Sequence, residues 1–235
     1  MQTVTKSKEE QSSGKKSTAS SPFFKFRVST LSHYCFCAKR CKLETFQKFS
    51  FYNQSDYCFN PSSISRGNRM HYQYSYPLKS FDRQLFLSQL PEVLQGQVDN
   101  IIVRGKLDDV RVLFNPDSQE RFVSIIELKT TSKPRMWNVE IESAIFQLQL
   151  YIWLVKKLMR PCWKLHKRHY LEIYSQRTGQ LMKRIPVEED PNIEDKIRYI
   201  VRAFQGLEKV QFPHRSTCRL CPKFIRSNCD WYGNN

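Results

Sequence analysis

What the sequence lacks narrows its function first. No window approaches the roughly 20 consecutive apolar residues of a membrane span, and the N-terminus carries no apolar core of a signal peptide. The expectation is a soluble intracellular protein with no membrane partner. No phosphate-binding loop is present either: "SGKKST", Ser13 to Thr18, lacks the upstream glycine, so no ATP-driven motor is expected. No strongly basic amphipathic helix with a clean apolar face appears, and no internal repeat is evident.

Acidic residues are also scarce. Asp and Glu number 22 against 38 Lys and Arg, a formal charge of +16, and 13% of the residues are aromatic. Phosphate neutralisation needs Lys and Arg while unpaired bases stack on rings, so nucleic acid is the expected partner. The eight cysteines, in a reducing compartment, read as thiols or metal ligands rather than disulfides.

At 235 residues the chain fits one medium domain with a tail. Residues 1–22 are rich in Ser, Thr and Lys, the composition of a disordered tail, which leaves 23–235 as the domain. Between Phe23 and about Phe51 the pattern suggests helix capped near Ser29 or Thr30. "PSSISRGNRMHYQYSYP" suggests a short helix ended by Pro77, and "SFDRQLFLSQL" another. The span from Gln97 to Thr131 reads as three strands of a meander. "NVEIESAIFQLQLYIWLVKKLM" is apolar on nearly every side and reads as a buried helix. A hairpin around Thr178 and Gly179 and a last amphipathic helix from Asn192 follow. This order of elements implies an α/β or α+β domain with a central mixed sheet flanked by helices.

Four pairs of residues could carry chemistry. In "VSIIELKTTSKP" Glu127 and Lys129 share one face of a strand, while Ile126 and Leu128 line the other, which is expected to pack the core. Taken alone the charges read as a surface ion pair. In "RGKLDDV" Gly105 makes a turn or bulge and Asp108 supplies a second carboxylate one strand away, which is what a hard divalent cation needs. In the long helix Gln147 and Tyr151 lie four apart on one face and need a polar partner there. In "GNRMH" Gly67 and His71 share a helical face in the same way. At the C-terminus "CRLCPKFIRSNCDW" offers Cys218, Cys221 and Cys229, three thiols where four are normally required; a fourth is available among Cys35, Cys37 and Cys41. Zinc is the generic expectation for such spacing.

Gly67/His71, Gly105/Asp108, Glu127/Lys129 and Gln147/Tyr151, in that order, resemble the motif series of RecB-type nucleases in the PD-(D/E)XK superfamily, over roughly Val28 to Trp231. The resemblance implies a restriction-endonuclease-like core. It implies one or two Mg²⁺ or Mn²⁺ ions on His71, Asp108, Glu127 and the Leu128 carbonyl, with Lys129 orienting the attacking water and Gln147 and Tyr151 positioning Lys129 or the strand. The cysteines look like the [4Fe-4S] staple of exonuclease V and the CRISPR-associated adaptation exonuclease. By that likeness Cys37, Cys218, Cys221 and Cys229 are the ligands, with Cys35 and Cys41 alternatives to Cys37, and segments 35–41 and 218–229 hold the cluster; Cys58 and Cys162 read as ordinary thiols. The implied activity is metal-dependent exonucleolytic hydrolysis of single-stranded DNA, with 5′ polarity, in repair and recombination or in CRISPR adaptation and antiviral defence. An integrase or repair and helicase proteins would be partners. The alternative is a non-enzymatic, zinc-stapled nucleic-acid-binding protein.

Overall fold

The computed structural model describes residues 24–38, 40–42, 80–208, 218, 221, 226, 227 and 229. The tail expected at 1–22, the helix expected around Gly67 and His71, and Cys58 lie outside the described residues.

In the first described segment, strand β1 (Phe24–Arg27) runs directly into helix α1 (Val28–Phe36). The start of α1 differs from the expected serine or threonine cap: Arg27 holds the N-cap position in extended backbone, with no side-chain hydrogen bond. The preceding strand dictates that start, because Phe24 to Arg27 pair in parallel with Ile101 to Arg104. Helix α2 (Phe81–Ser88) begins where the sequence indicates, with the Ser80 hydroxyl accepting from the Arg83 N–H.

The expected three-strand meander is four strands in two sheets. Strands β2 (Leu94–Val98) and β3 (Ile101–Gly105) form a tight hairpin through Asp99 and Asn100 and join β1 in a three-stranded sheet of order β1-β3-β2. Strands β4 (Asp109–Asn115) and β5 (Glu120–Thr131) pair antiparallel in a second, five-stranded sheet. The three residues after Gly105 carry the chain from one sheet to the other, which a simple alternation pattern does not encode.

Helix α3 (Asn138–Leu158) follows β5 and turns back across the sheet. It packs against α1, β2, β5 and β7, so apolar residues are needed almost all round it. Short β6 (Trp163–Leu165) lies parallel to the first half of β5, and β7 (His169–Ser175) lies parallel to the second half. The β7–β8 hairpin, with β8 at Leu181–Val187, turns where expected, Gly179 taking φ +72°. Helix α4 (Ile193–Phe204) closes the described fold with Ile193, Ile197, Ile200, Val201 and Phe204 inward. β1 and β6 are too short to announce themselves in sequence.

Both faces of β5 are buried, but the main core lies on the face opposite to the one expected. Val123 and Ile125, on the side of Glu127, join the core cluster with Leu148, Leu150, Ile152, Leu171 and Ile173. Ile126 and Leu128 are buried outside that cluster. Their side of the sheet carries a polar network: Glu172, paired in register with Leu128, is 1% exposed and accepts hydrogen bonds from Arg111, Arg184 and Tyr174 at 2.7–2.9 Å.

His169, also buried, accepts a 3.0 Å hydrogen bond at Nδ1 from the Ile125 N–H, where the ladder changes from β6 to β7. Desolvation pushes its pKa down to about 4. The folded state therefore refuses a proton that the unfolded state accepts, so this histidine contributes nothing adverse above pH 6.5 and costs stability progressively as pH falls toward 4. The full penalty is on the order of 3 kcal/mol. Glu127 titrates with the opposite sign, so the comparison is between wild type and His169→Gln, which keeps an acceptor for Ile125. Denaturant midpoints should show the variant gaining relative to wild type between pH 6.5 and 4.

Candidate active site

The register of the larger sheet builds the site. Asp109 pairs with Ile126, so the residue before it, Asp108, stands at the start of β4 beside Glu127. The Asp108 carboxylate accepts from the Leu128 N–H at 2.9 Å, which fixes it against the strand. The two aspartates of "DD" thus divide their work. Asp109 is buried on the other side, accepting from Arg83 Nε and Nη2 at 2.8 and 2.6 Å, and is structural.

Glu127 is 1% exposed. Its Oε1 accepts from Lys129 Nζ at 2.6 Å, while its Oε2 is buried and receives no hydrogen bond. Desolvation raises its pKa to about 8; Lys129 opposes that shift and the like charge of Asp108 reinforces it. Desolvation works against the Lys129 ammonium too, but Glu127 and Asp108 outweigh it and raise its pKa. Lys129 Nζ also donates to Gln147 Oε1 at 3.0 Å. Lysine is therefore locked between strand and helix rather than free to sweep the surface. These are not the properties of an exposed surface pair.

Tyr151 completes the group one turn along α3. Its hydroxyl interacts with the Gln147 side chain and the Lys106 backbone, and burial followed by the charges of Glu127 and Asp108 raises its pKa. A Cβ on Gly105 would lie 2.8 Å from Tyr151 Cε1, 2.9 Å from Val28 Cγ2 and 3.0 Å from the Tyr151 hydroxyl. Glycine is required there because an aromatic ring presses on the backbone, and not for a turn or bulge. Gly105→Ala should displace Tyr151 and destabilise the fold by roughly 1–3 kcal/mol, read as a lowered denaturation midpoint; Tyr151→Phe, which keeps the ring, should leave that penalty in place.

A cleft of about 350 Å³ opens beside Gly105 and Tyr151. Arg27 and Arg104 line it and lie opposite each other in the β1–β3 register. Like charges facing across a ladder are unfavourable unless an anion lies between them. Lys106, at the same cleft, is paired with exposed Glu92 at 2.8 Å. A phosphate backbone fits such a lining.

Three of the four predicted motif pairs meet here, and His71 lies outside the described residues. Among the described residues no three His, Cys, Asp or Glu side chains stand in an arrangement that could hold a metal ion. The donor set still fits one: two carboxylates side by side, one with an orphaned buried oxygen, suit Mg²⁺, which takes one or two carboxylates and completes its shell with water and phosphate oxygens.

The family model of the PD-(D/E)XK nuclease superfamily matches residues 72–229, more than half of the chain. The chain belongs to that superfamily. No curated protein matches the chain significantly. Among solved structures it is similar to the crystal structure of SSO0001, with a TM-score of 0.55 and 17% identity over 88% of this chain and 86% of that one. It is also similar to a candidate exonuclease from Eubacterium rectale, with a TM-score of 0.45 and 11% identity over 95% of this chain and 94% of that one. The first likeness supports the fold.

The superfamily match ends on Cys229, the last of the predicted cysteine ligands. The Cys221 thiol is pushed up to about 12, by burial first, against the pull of Arg40, and then by Cys37, Cys218 and Cys229. Cys37, Cys218 and Cys229 are thus each near enough to act on Cys221. Cys41 is elsewhere, its Sγ directed at the Leu31 carbonyl at 3.9 Å, and exposed Cys35 interacts with Glu142 and Lys196. Of the three candidates for the N-terminal ligand, Cys37 lies near enough to Cys221 to act on it. Cys162 is exposed.

Among the described residues no helix is long and apolar enough to cross a membrane. Sequence reasoning missed the Arg27–Arg104 pair and the Glu172 network; cross-strand neighbours cannot be read before the register is known.

Proposed function

We propose that the chain is a Mg²⁺- or Mn²⁺-dependent deoxyribonuclease that hydrolyses single-stranded DNA from an end, with 5′ polarity. The observation that carries the reading is the buried Glu127 Oε2, which has no donor and stands beside a second carboxylate. A buried carboxylate oxygen is left without a donor at this cost where a cation completes it. When bound, a divalent cation there polarises the scissile phosphate and lowers the pKa of a water.

The chain's own residues do the rest. Asp108 and Glu127, with the Leu128 carbonyl and His71, hold the cation. Lys129, fixed by Glu127 and Gln147, keeps its ammonium aimed at one point, where it orients the water and offsets charge developing on the phosphate. Gln147 holds Lys129, and Tyr151 holds Gln147 and the chain at Lys106. Arg27, Arg104 and Lys106 grip the backbone of the strand without reading its sequence.

We further propose that Cys37, Cys218, Cys221 and Cys229 bind a [4Fe-4S] cluster that ties the two ends of the chain together. The influence of Cys37, Cys218 and Cys229 on the Cys221 thiol supports this set. The protein would act inside the cell, in repair and recombination or in CRISPR adaptation, with helicase or integrase partners. The carboxylate oxygen without a donor favours an enzyme over a zinc-stapled binding protein, which needs no such group.

Oligonucleotides labelled at either end, single-stranded or duplex, incubated with Mn²⁺ or with EDTA, test the proposal. Metal-dependent shortening of the single strand supports it. Tight binding without cutting would support the binding protein instead.

A further inference from the structure

The stretch that leads from β5 into the first turn of α3, "KPRMWNV", leaves the sheet at the same end as Glu127 and Lys129 and borders an open cleft of about 660 Å³. Trp137 is 56% exposed at its rim. Lys133 stands over the indole ring at 5.9 Å, and Arg135 is exposed beside it.

The backbone under the ring is hydrogen-bonded on both sides. The Trp137 N–H donates to Glu140 Oε2 at 2.9 Å, and the Glu140 N–H donates to the Trp137 carbonyl at 3.0 Å. Lys133 pairs with the other Glu140 oxygen at 3.3 Å, and its own N–H donates to Thr131 Oγ1. The indole is thus anchored through its backbone, with Lys133 over one face and more than half of the residue exposed. From Gln147 back to Asn138, the neighbour of Trp137, the helix covers about 13 Å. That places Trp137 about four stacked nucleotides from Gln147 and the Lys129 it holds.

We infer that Trp137, flanked by Lys133 and Arg135, is a stacking platform for an unpaired base of a single-stranded DNA substrate a few nucleotides from the cleaved bond. A flat ring accepts any base, and the two cations meet the phosphates on either side of it. A duplex keeps its bases stacked on one another, so the platform selects single strands. The inference rests on the nuclease reading for its position along the substrate, but binding alone tests it.

The experiment measures anisotropy of a labelled single-stranded oligonucleotide in EDTA, where nothing is cut. Trp137→Ala should weaken binding on the order of 10-fold, Trp137→Phe should restore most of it, and Trp137→Leu should not. Lys133→Ala with Arg135→Ala should reduce the slope of log affinity against log salt by about one to two. An oligonucleotide with abasic positions should bind wild type more weakly while losing little further on Trp137→Ala. Equal affinity of wild type and Trp137→Ala would overturn the platform, even where wild type cleaves. A loss on Trp137→Ala in a protein that never cleaves would leave the platform standing and remove the nuclease reading. Trp137-dependent binding of phosphatidylserine vesicles, with none of the strand, would also overturn it. If the variants do not fold, photocrosslinking of a 5-bromouracil strand to wild type should map to residues 133–139; crosslinks confined elsewhere would contradict it.

Discussion

Glu127→Gln should abolish cleavage, by on the order of 10³-fold or more, while leaving the metal-free protein at least as stable as wild type. The two halves of that result come from one cause. In the folded protein the Glu127 carboxyl is desolvated and faces Asp108, so its ionisation is disfavoured. Glutamine keeps an acceptor for Lys129 at the position of Oε1 and removes the charge. A residue that served the fold would instead be missed on replacement, since breaking a buried pair from one side costs several kcal/mol. Metal should also raise the wild-type melting temperature by mass action, and the variant should lose that rise. A variant that melts well below wild type in EDTA, with its metal-induced rise intact, would return Glu127 to a structural role.

Cys221→Ser and Cys37→Ser should strip iron and acid-labile sulfide from anaerobically purified protein. Cys35→Ser and Cys41→Ser should leave both in place. The Cys221 thiol is buried and held protonated among three other sulfurs, an unfavourable setting that a cluster's positive charge reverses. Closing a four-thiolate site is worth on the order of 10 kcal/mol of linked folding energy, so its loss should unfasten the chain's ends and lower stability far more than a single core substitution. Stoichiometric zinc without sulfide would replace the cluster by a zinc site. Loss of iron on Cys41→Ser but not on Cys37→Ser would reassign the N-terminal ligand.

The site was more legible in the sequence than the fold around it. Asp108, Glu127, Lys129, Gln147 and Tyr151 are polar residues placed in apolar strand and helix patterns, and such intrusions can be seen without knowing what they contact. The structure then gives reasons the sequence could not. Gly105 is required by the Tyr151 ring, an element away; Asp109, next to Asp108, is spent on Arg83. Glu127 sits on the face of β5 that joins the main core, because α3 folds back over that face; alternation marks two faces but not which one a later helix covers. The two-sheet division of β2 to β5 was missed because a hairpin and a sheet-to-sheet crossing use similar turn residues. Trp137 was unremarkable among so many aromatics until its exposure was known.

The most direct measurement compares wild type and Glu127→Gln, purified identically, on one end-labelled single strand with Mn²⁺. The account predicts that wild type shortens the strand only when metal is present and that the variant leaves it intact. Equal cutting by both proteins, or none by either with metal bound, would contradict it.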